Sequence, residues 1–122
     1  MNTPPPDNSF DIVRARIRTD LRAAMSAKRM DEAAALRTLI AALDNAEVVS
    51  VPPERYTARA FGDPATEVPR KRLSAEEVDA ILLAEQNERL LVAQALEQAG
   101  WAENAERLRQ EAVVVARYLA KN

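Results

Sequence analysis

The feature that most constrains this chain is Gly100, which separates two stretches with the apolar spacing of α-helices. Ser74 begins the first stretch and Glu77 follows three residues later, the pattern of a capping box in which each side chain accepts a backbone N–H of the other residue. Gly100 comes after the last apolar position, where a left-handed backbone conformation is least costly without a Cβ. Two helices joined by so short a break lie antiparallel. We therefore predict a helical hairpin, with helices over about 74–99 and 102–119.

Apolar residues at helical spacing mark the buried face of each predicted helix. Before Gly100 these positions are Val78, Ile81, Leu82, Val92 and Leu96, and after it they are Ala105, Leu108, Ala112, Val115 and Leu119. The N-terminal half has the same spacing, at Phe10, Val13, Ile17, Leu21 and Ala24 or Met25, and then at Leu36, Leu39, Ile40 and Leu43. This predicts a first helix over about 9–29, ending near Lys28 and Arg29, and a second over 31–49 with Asp31 as N-cap.

Composition supports an all-α domain. The chain has 122 residues, enough for one core, and 48% of them are hydrophobic although only 4% are aromatic. Residues 1–8 contain three consecutive prolines and are predicted to form a disordered arm. Residues 50–73 are rich in proline and lack periodicity, which predicts a long loop. The expected architecture is a four-helix arrangement of two antiparallel helical hairpins joined by this loop.

Several classes of site are excluded by residue counts. The chain has no Cys and no His, so disulfides, imidazole bases and the usual zinc sites are ruled out, and we expect no cofactor and no metal. A formal net charge of −2 argues against a general nucleic-acid-binding protein. No apolar run approaches the ~20 residues that span a bilayer, and the N-terminus lacks the features of a signal peptide. We therefore expect a cytoplasmic protein that does not contact membranes.

Positive charge is concentrated in two places. Arg14, Arg18 and Arg22 recur every four residues and so share one face of the first helix. A second basic run, Arg70 to Arg72 with Lys71 between, precedes the third helix. Both are interpreted either as solvated surface or as a site that contacts a polyanion such as RNA.

Polar residues also interrupt the apolar face of the third helix. Glu85 and Arg89 lie on the line from Leu82 to Leu96 and are four residues apart, with the acid first, which favours an intrahelical ion pair. Further partners must complete the hydrogen bonds of such a pair. The candidates are Arg37 and Asn45 on the second helix and Glu111 on the fourth. The set predicts either a buried polar network that fixes helix register or a small ligand site between helices.

Trp101, directly after Gly100, is the one tryptophan in the sequence. Packed over the turn it would be a hydrophobic staple, and exposed it would be an anchor for a partner protein. The small neighbours Gly100 and Ala102 favour exposure.

Two segments, Asp20–Glu47 and Leu73–Leu119, resemble the GatB/YqeY domain family and cover about three-fifths of the chain. The matching features of the first segment are Asp20, Leu21 and Met25, then Leu36-Arg37, and Asn45 with Glu47. Those of the second are Leu73-Ser74, Glu77-Val78, Glu85, Arg89, Ala99-Gly100, Glu111 and Tyr118-Leu119. No single motif is specific, and the resemblance depends on their order and spacing.

The resemblance implies a helical module related to the tail domain of the GatB subunit of tRNA-dependent amidotransferases, where the tail helps to hold tRNA and amide transfer occurs elsewhere. Only the N-terminal helical domain of the stand-alone members is matched. Those members commonly continue from Tyr-Leu with a proline and a second small domain, whereas Ala120, Lys121 and Asn122 follow here. The loop over 50–73 also exceeds the short link that the resemblance implies.

Two functional hypotheses of different class follow. The first is a non-catalytic accessory module that contacts tRNA or an amidotransferase-like protein complex through the basic first helix. The alternative is a protein–protein interaction or structural module, with a homodimer among its forms and no nucleic-acid role. An enzyme ranks third because the chain lacks His, Cys and a Gly-rich phosphate loop. A carbon–nitrogen ligase activity would be inherited from the family name.

Overall fold

The computed structural model describes residues 9–47 and 72–120. They form four helices and no strand: α1 (Ser9–Ser26), α2 (Met30–Glu47), α3 (Ala75–Gln98) and α4 (Ala102–Ala116). The helices pair extensively as α1 with α2 and as α3 with α4, which confirms the all-α fold of two hairpins. The predicted arm over 1–8 and nearly all of the predicted loop lie outside the described residues.

The capping box that begins α3 is present in full. The Ser74 hydroxyl accepts a hydrogen bond from the Glu77 backbone N–H at 3.1 Å, and the Glu77 carboxylate accepts one from the Ser74 N–H at 3.0 Å. Two N–H groups that the first helical turn leaves without an intrahelical acceptor are thereby satisfied. The N-terminal boundary of α3 is therefore determined by local sequence alone.

The turn after α3 also has its predicted geometry. Gly100 has a φ of +90°. Its N–H donates to the Glu97 carbonyl at 3.0 Å, and the Trp101 N–H donates to the Leu96 carbonyl at 2.8 Å. These two bonds form a Schellman motif, which ends the helix while satisfying its last carbonyls. The chain then reverses directly into α4.

The turn after α1 has the same geometry without a glycine. Lys28 has a φ of +60°, its N–H donates to the Met25 carbonyl at 3.1 Å, and the Arg29 N–H donates to the Ala24 carbonyl at 2.8 Å. The prediction that the first helix reaches residue 29 is therefore wrong, because the left-handed residue ends it at Ser26.

Asp31 is not the N-cap of α2. The helix begins one residue earlier, at Met30, and the Ala33 N–H already donates to the Arg29 carbonyl at 3.0 Å. Asp31 therefore lies inside the first turn, where its negative charge still favours the positive end of the helix dipole.

Replacing Lys28 by glycine should raise the free energy of unfolding by up to about 1 kcal/mol, because a left-handed conformation strains an L residue and glycine relieves that strain. The matched opposite change, Gly100→Ala, should lower it by about 1 kcal/mol. A Cβ at Gly100 would meet no atom within 4 Å, so the loss would come from the backbone conformation alone. Urea unfolding of both variants checks the pair. A destabilised Lys28→Gly variant would contradict it.

The core lies between the two hairpins, and α2 contacts each of the other three helices. Its largest fully buried side chains are those of Ile17, Leu36, Leu39, Leu43, Leu82 and Val115. Alanines at fully or almost fully buried positions, among them Ala24, Ala33 and Ala105, let the helix axes approach closely. Removing the apolar surface of these side chains from water is the main stabilising contribution.

In α1, where either Ala24 or Met25 was predicted to be buried, Ala24 is the buried residue and Met25 is 46% exposed. The predicted burial of Val92 is wrong, since Val92 is 44% exposed and its neighbour Ala93 is buried. In α3 the buried line runs through Arg89 to Ala93, four residues on, which turns Val92 away from α4. Helix α4 also ends at Ala116 rather than near residue 119, and Tyr118 beyond it is buried.

Candidate functional site

Arg89 forms the centre of a polar network between α3 and α4. Its side chain is 9% exposed, and its Nη1 donates to the Glu85 carboxylate at 3.0 Å and to the Glu85 carbonyl at 3.0 Å. Its Nε donates to the Glu111 carboxylate at 3.1 Å. One cation thus ties two carboxylates from different helices, and all three residues were predicted members of the network.

The other two predicted members are not part of this network. Arg37 and Asn45 are both exposed on α2. Arg37 follows the fully buried Leu36 by one residue, which rotates it about 100° around the helix and away from the core. It lies against α1 instead, where its Nη2 donates to the Met25 sulfur at 3.5 Å. The network is therefore confined to the α3–α4 hairpin.

Arg14 is held inside the α1–α2 hairpin. Its Nη2 lies 2.7 Å from an Asp44 carboxylate oxygen, its Nη1 lies 3.4 Å from one of Glu47, and its guanidinium lies 5.4 Å from the centre of the Phe10 ring. The antiparallel register places both acids of α2 beside it. Both interpretations of the basic face, solvated surface and polyanion contact, therefore fail for Arg14, since its charge is neutralised internally.

The remaining two arginines of the predicted basic face are exposed. Arg18 has no acidic partner in the described part of the chain, and Arg22 has only a hydrogen bond of 3.4 Å to the Thr19 hydroxyl. Arg37 contacts Met25. Because Met25 comes three residues after Arg22, these two side chains are neighbours on the surface of α1. Arg18, Arg22 and Arg37 therefore lie on one side of the α1–α2 hairpin, and we call them the basic cluster.

Of the second basic run, Arg70 and Lys71 lie outside the described residues. Arg72 is exposed, and its Nη2 lies 3.7 Å from an Asp11 carboxylate oxygen at the start of α1. An exposed pair at this distance contributes little to stability.

Two polar contacts that sequence patterns did not indicate join the hairpins to each other. The buried Tyr118 hydroxyl donates to Asp20 of α1 at 2.5 Å. Glu32 at the start of α2 accepts from Arg117 at 2.6 Å and from Arg29 at 3.1 Å, and hydrogen bonding to Arg117 lowers the pKa of Glu32. Tyr118 and Asp20 are 98 residues apart in sequence, and Arg117 and Glu32 are 85 residues apart. No helical spacing relates residues so distant.

Burial, and then the hydrogen bond to Asp20, raise the pKa of Tyr118 above its ordinary value of 10.0. Folding therefore favours the neutral phenol, and its stabilising contribution is complete below about pH 10 and is lost as the pH rises above that value. We expect Tyr118→Phe to cost about 1 kcal/mol near neutral pH and to lessen the alkaline loss. Urea unfolding at about pH 8 and about pH 11 measures both effects.

The comparison variant is Asp20→Asn, which keeps the Tyr118 phenol and removes the charge of its acceptor. It should lessen the alkaline loss by a smaller amount than Tyr118→Phe, because burial of the phenol remains. Equal alkaline loss in the Tyr118→Phe variant and the parent chain would contradict the prediction.

A groove of about 350 Å³ lies between the start of α2 and α4. Its lining includes five acids and two arginines: Asp31, Glu32, Glu103, Glu106, Glu111, Arg107 and Arg117. This excess of negative charge disfavours phosphate or nucleic acid.

No group of three or more acidic, His or Cys side chains suited to a metal ion occurs in the described ranges, 9–47 and 72–120.

Trp101 is 59% exposed at the tip of the α3–α4 hairpin. It is the N-cap residue of α4, and its side chain does not hydrogen-bond to the first turn of that helix. The predicted exposure is confirmed, and its role as a partner anchor stays a prediction.

None of the four helices is both long and apolar enough to cross a membrane. No protein-family model matches the chain, and no curated protein or solved structure matches it either.

Proposed function

We propose that the chain is a non-catalytic helical module of the cytoplasm that contacts tRNA through the basic cluster, alone or beside an amidotransferase-like protein complex. The observation that carries this proposal is the exposure of Arg18, Arg22 and Arg37 on one side of the hairpin, with no acidic partner among residues 9–47 and 72–120. The resemblance to the GatB/YqeY family supports tRNA as the first polyanion to test.

The arrangement suits phosphate contact in charge and in geometry. Guanidinium groups bind phosphate oxygens through paired N–H donors, and their exposed position leaves those donors available. Helices α3 and α4 together carry nine acids and three arginines, so they attract a polyanion less than the basic cluster on the α1–α2 hairpin does. With about three contacts, affinity should be micromolar or weaker near physiological salt and should fall as salt rises.

The test is a mobility-shift titration of tRNA at low salt with matched double variants. Arg18→Gln with Arg37→Gln removes one cation from each helix of the basic cluster and should weaken binding at least about tenfold. The slope of log K against log salt should become less negative by roughly 1 for each arginine removed. The control, Arg107→Gln with Arg109→Gln on α4, removes the same charge and should change affinity less than about twofold.

Equal weakening by both pairs, or no binding by the parent chain at low salt, would contradict the tRNA proposal. The alternative function, a protein–protein interaction module without a nucleic-acid role, would then be favoured. Its supporting observation is the exposure of Trp101 at the hairpin tip. Large aromatic residues in such positions commonly anchor partner proteins or a second copy of the chain.

A further inference from the structure

Helix α3 carries a second apolar face, opposite the one that packs on α4. Its members are uncharged and exposed: Ala80, Leu83, Asn87, Leu90, Leu91 and Gln94, which we call the outer stripe. The exposed fractions are 46% for Leu83, 44% for Leu90 and 67% for Leu91. Single exposed leucines are ordinary, but three on one helix face form a patch of the kind that marks interaction sites.

The spacing of the outer stripe matches what a partner helix requires. From Ala80 the positions advance by three, four, three and four residues, to Gln94. This is the heptad spacing of helices that pack side by side, with Leu83 and Leu90 at equivalent positions and Asn87 between them. The stripe spans the 15 residues from Ala80 to Gln94, a rise of about 21 Å along the helix. A partner helix of about four turns would cover it.

The charges beside the stripe decide which partner fits. Glu76 and Glu88 are exposed on α3, and the exposed Glu97 is already paired with Arg109 of α4. The one cation of α3, Arg89, is buried between its two carboxylates. A second copy of α3 would bring the same acids together, and like charges disfavour pairing. A helix with an apolar face and Lys or Arg along its flanks would satisfy both the stripe and the acids.

We infer that the outer stripe of α3 is a docking surface for a basic amphipathic helix of a partner protein. This inference is independent of tRNA binding, because it uses α3 and the proposed RNA contact uses α1 and α2. The apolar face of the partner helix packs on Leu83, Leu90 and Leu91, and its basic flanks face the glutamates.

The probe is a fluorescein-labelled helical peptide of about 20 residues with Leu at i, i+3, i+4 and i+7 and Lys on both flanks. Its anisotropy is measured while the 122-residue chain is titrated in. We expect saturable binding that Leu83→Gln with Leu90→Gln weakens at least about tenfold. A peptide with the same leucines and Glu flanks should not bind.

The matched control is Val113→Gln, which replaces an apolar residue of α4 that is 61% exposed and outside the stripe. It should change affinity less than about twofold. Glutamine is a good helix former, so both variants keep the fold, and circular dichroism checks this. Equal binding to the parent chain and the stripe variant would overturn the inference, as would an absence of binding. A concentration-dependent dimer that the stripe variant abolishes would also overturn it, because a second copy would then be the occupant.

Discussion

The Arg89→Ala variant is expected to be about 3 kcal/mol less stable than the parent chain. The side chains of Glu85 and Glu111 are only 20% and 21% exposed, so both carboxylates are largely removed from water. Without Arg89 they would face each other across the α3–α4 contact with no cation between them. The loss combines this repulsion with the hydrogen bonds that the guanidinium no longer donates. Thermal or urea unfolding measures it directly.

A neutral replacement of the whole network distinguishes an unpaired charge from lost packing. The variant Arg89→Met, Glu85→Leu, Glu111→Leu keeps similar volume and leaves no carboxylate behind. Buried ion networks replaced in this way commonly lose little stability. We expect the triple variant to be clearly more stable than Arg89→Ala. If the triple variant were as unstable as Arg89→Ala, shape rather than charge would explain the role of Arg89. An unchanged melt for Arg89→Ala would show that the network stabilises nothing.

Reversing the charge of Arg14 is expected to cost about 2 kcal/mol. Arg14→Glu would place a third carboxylate beside Asp44 and Glu47 and remove the cation from the Phe10 ring. The Arg14, Asp44 and Glu47 side chains are 23%, 34% and 15% exposed, so water screens the repulsion only in part. Urea unfolding at low salt measures the loss in the free energy of unfolding. Repeating it at high salt shows how much of that loss is charge repulsion that salt screens.

Arg18→Glu is the control for Arg14, because it makes the same change one helical turn later on an exposed side chain. It should change stability by no more than about 0.5 kcal/mol. Equal losses at the two positions would contradict the internal role of Arg14. The same contrast has a practical consequence, since a variant that reverses Arg14 together with Arg18 would confuse loss of binding with loss of fold.

Local rules predict the backbone of this protein well. The capping box at Ser74 and the left-handed Gly100 depend on residues within one turn, and both have the predicted geometry. The turn at Lys28 was misplaced because the same geometry occurs there without glycine, the residue that signals it. Sequence patterns therefore locate helix ends when the favoured residue is present and miss them when another residue tolerates the strain.

The partners of polar side chains are predicted less well, because they depend on how helices are rotated against each other. Glu85 and Arg89 share a helix, and their pairing follows from spacing alone. The expectation that Arg37 joins the polar network was wrong, since its neighbour Leu36 is the residue that faces the core. The acids that neutralise Arg14 become visible only when α2 is placed antiparallel to α1.

The contact between Asp20 and Tyr118 lies far beyond any local rule, and it bears on how the molecule comes apart. Within the hairpins, Arg89–Glu111 joins residues 22 positions apart and Arg14–Glu47 joins residues 33 positions apart. Two hydrogen bonds between the hairpins, Arg117–Glu32 and Tyr118–Asp20, join residues 85 and 98 positions apart. Ordering a longer loop of chain costs more entropy, so each distant hydrogen bond contributes less net stability than a local one. Most of the free energy that holds the hairpins together therefore comes from the apolar core between them, whose side chains a separation would expose to water. We expect the hairpins to separate only when this core is lost, and not through local breaking of the two hydrogen bonds.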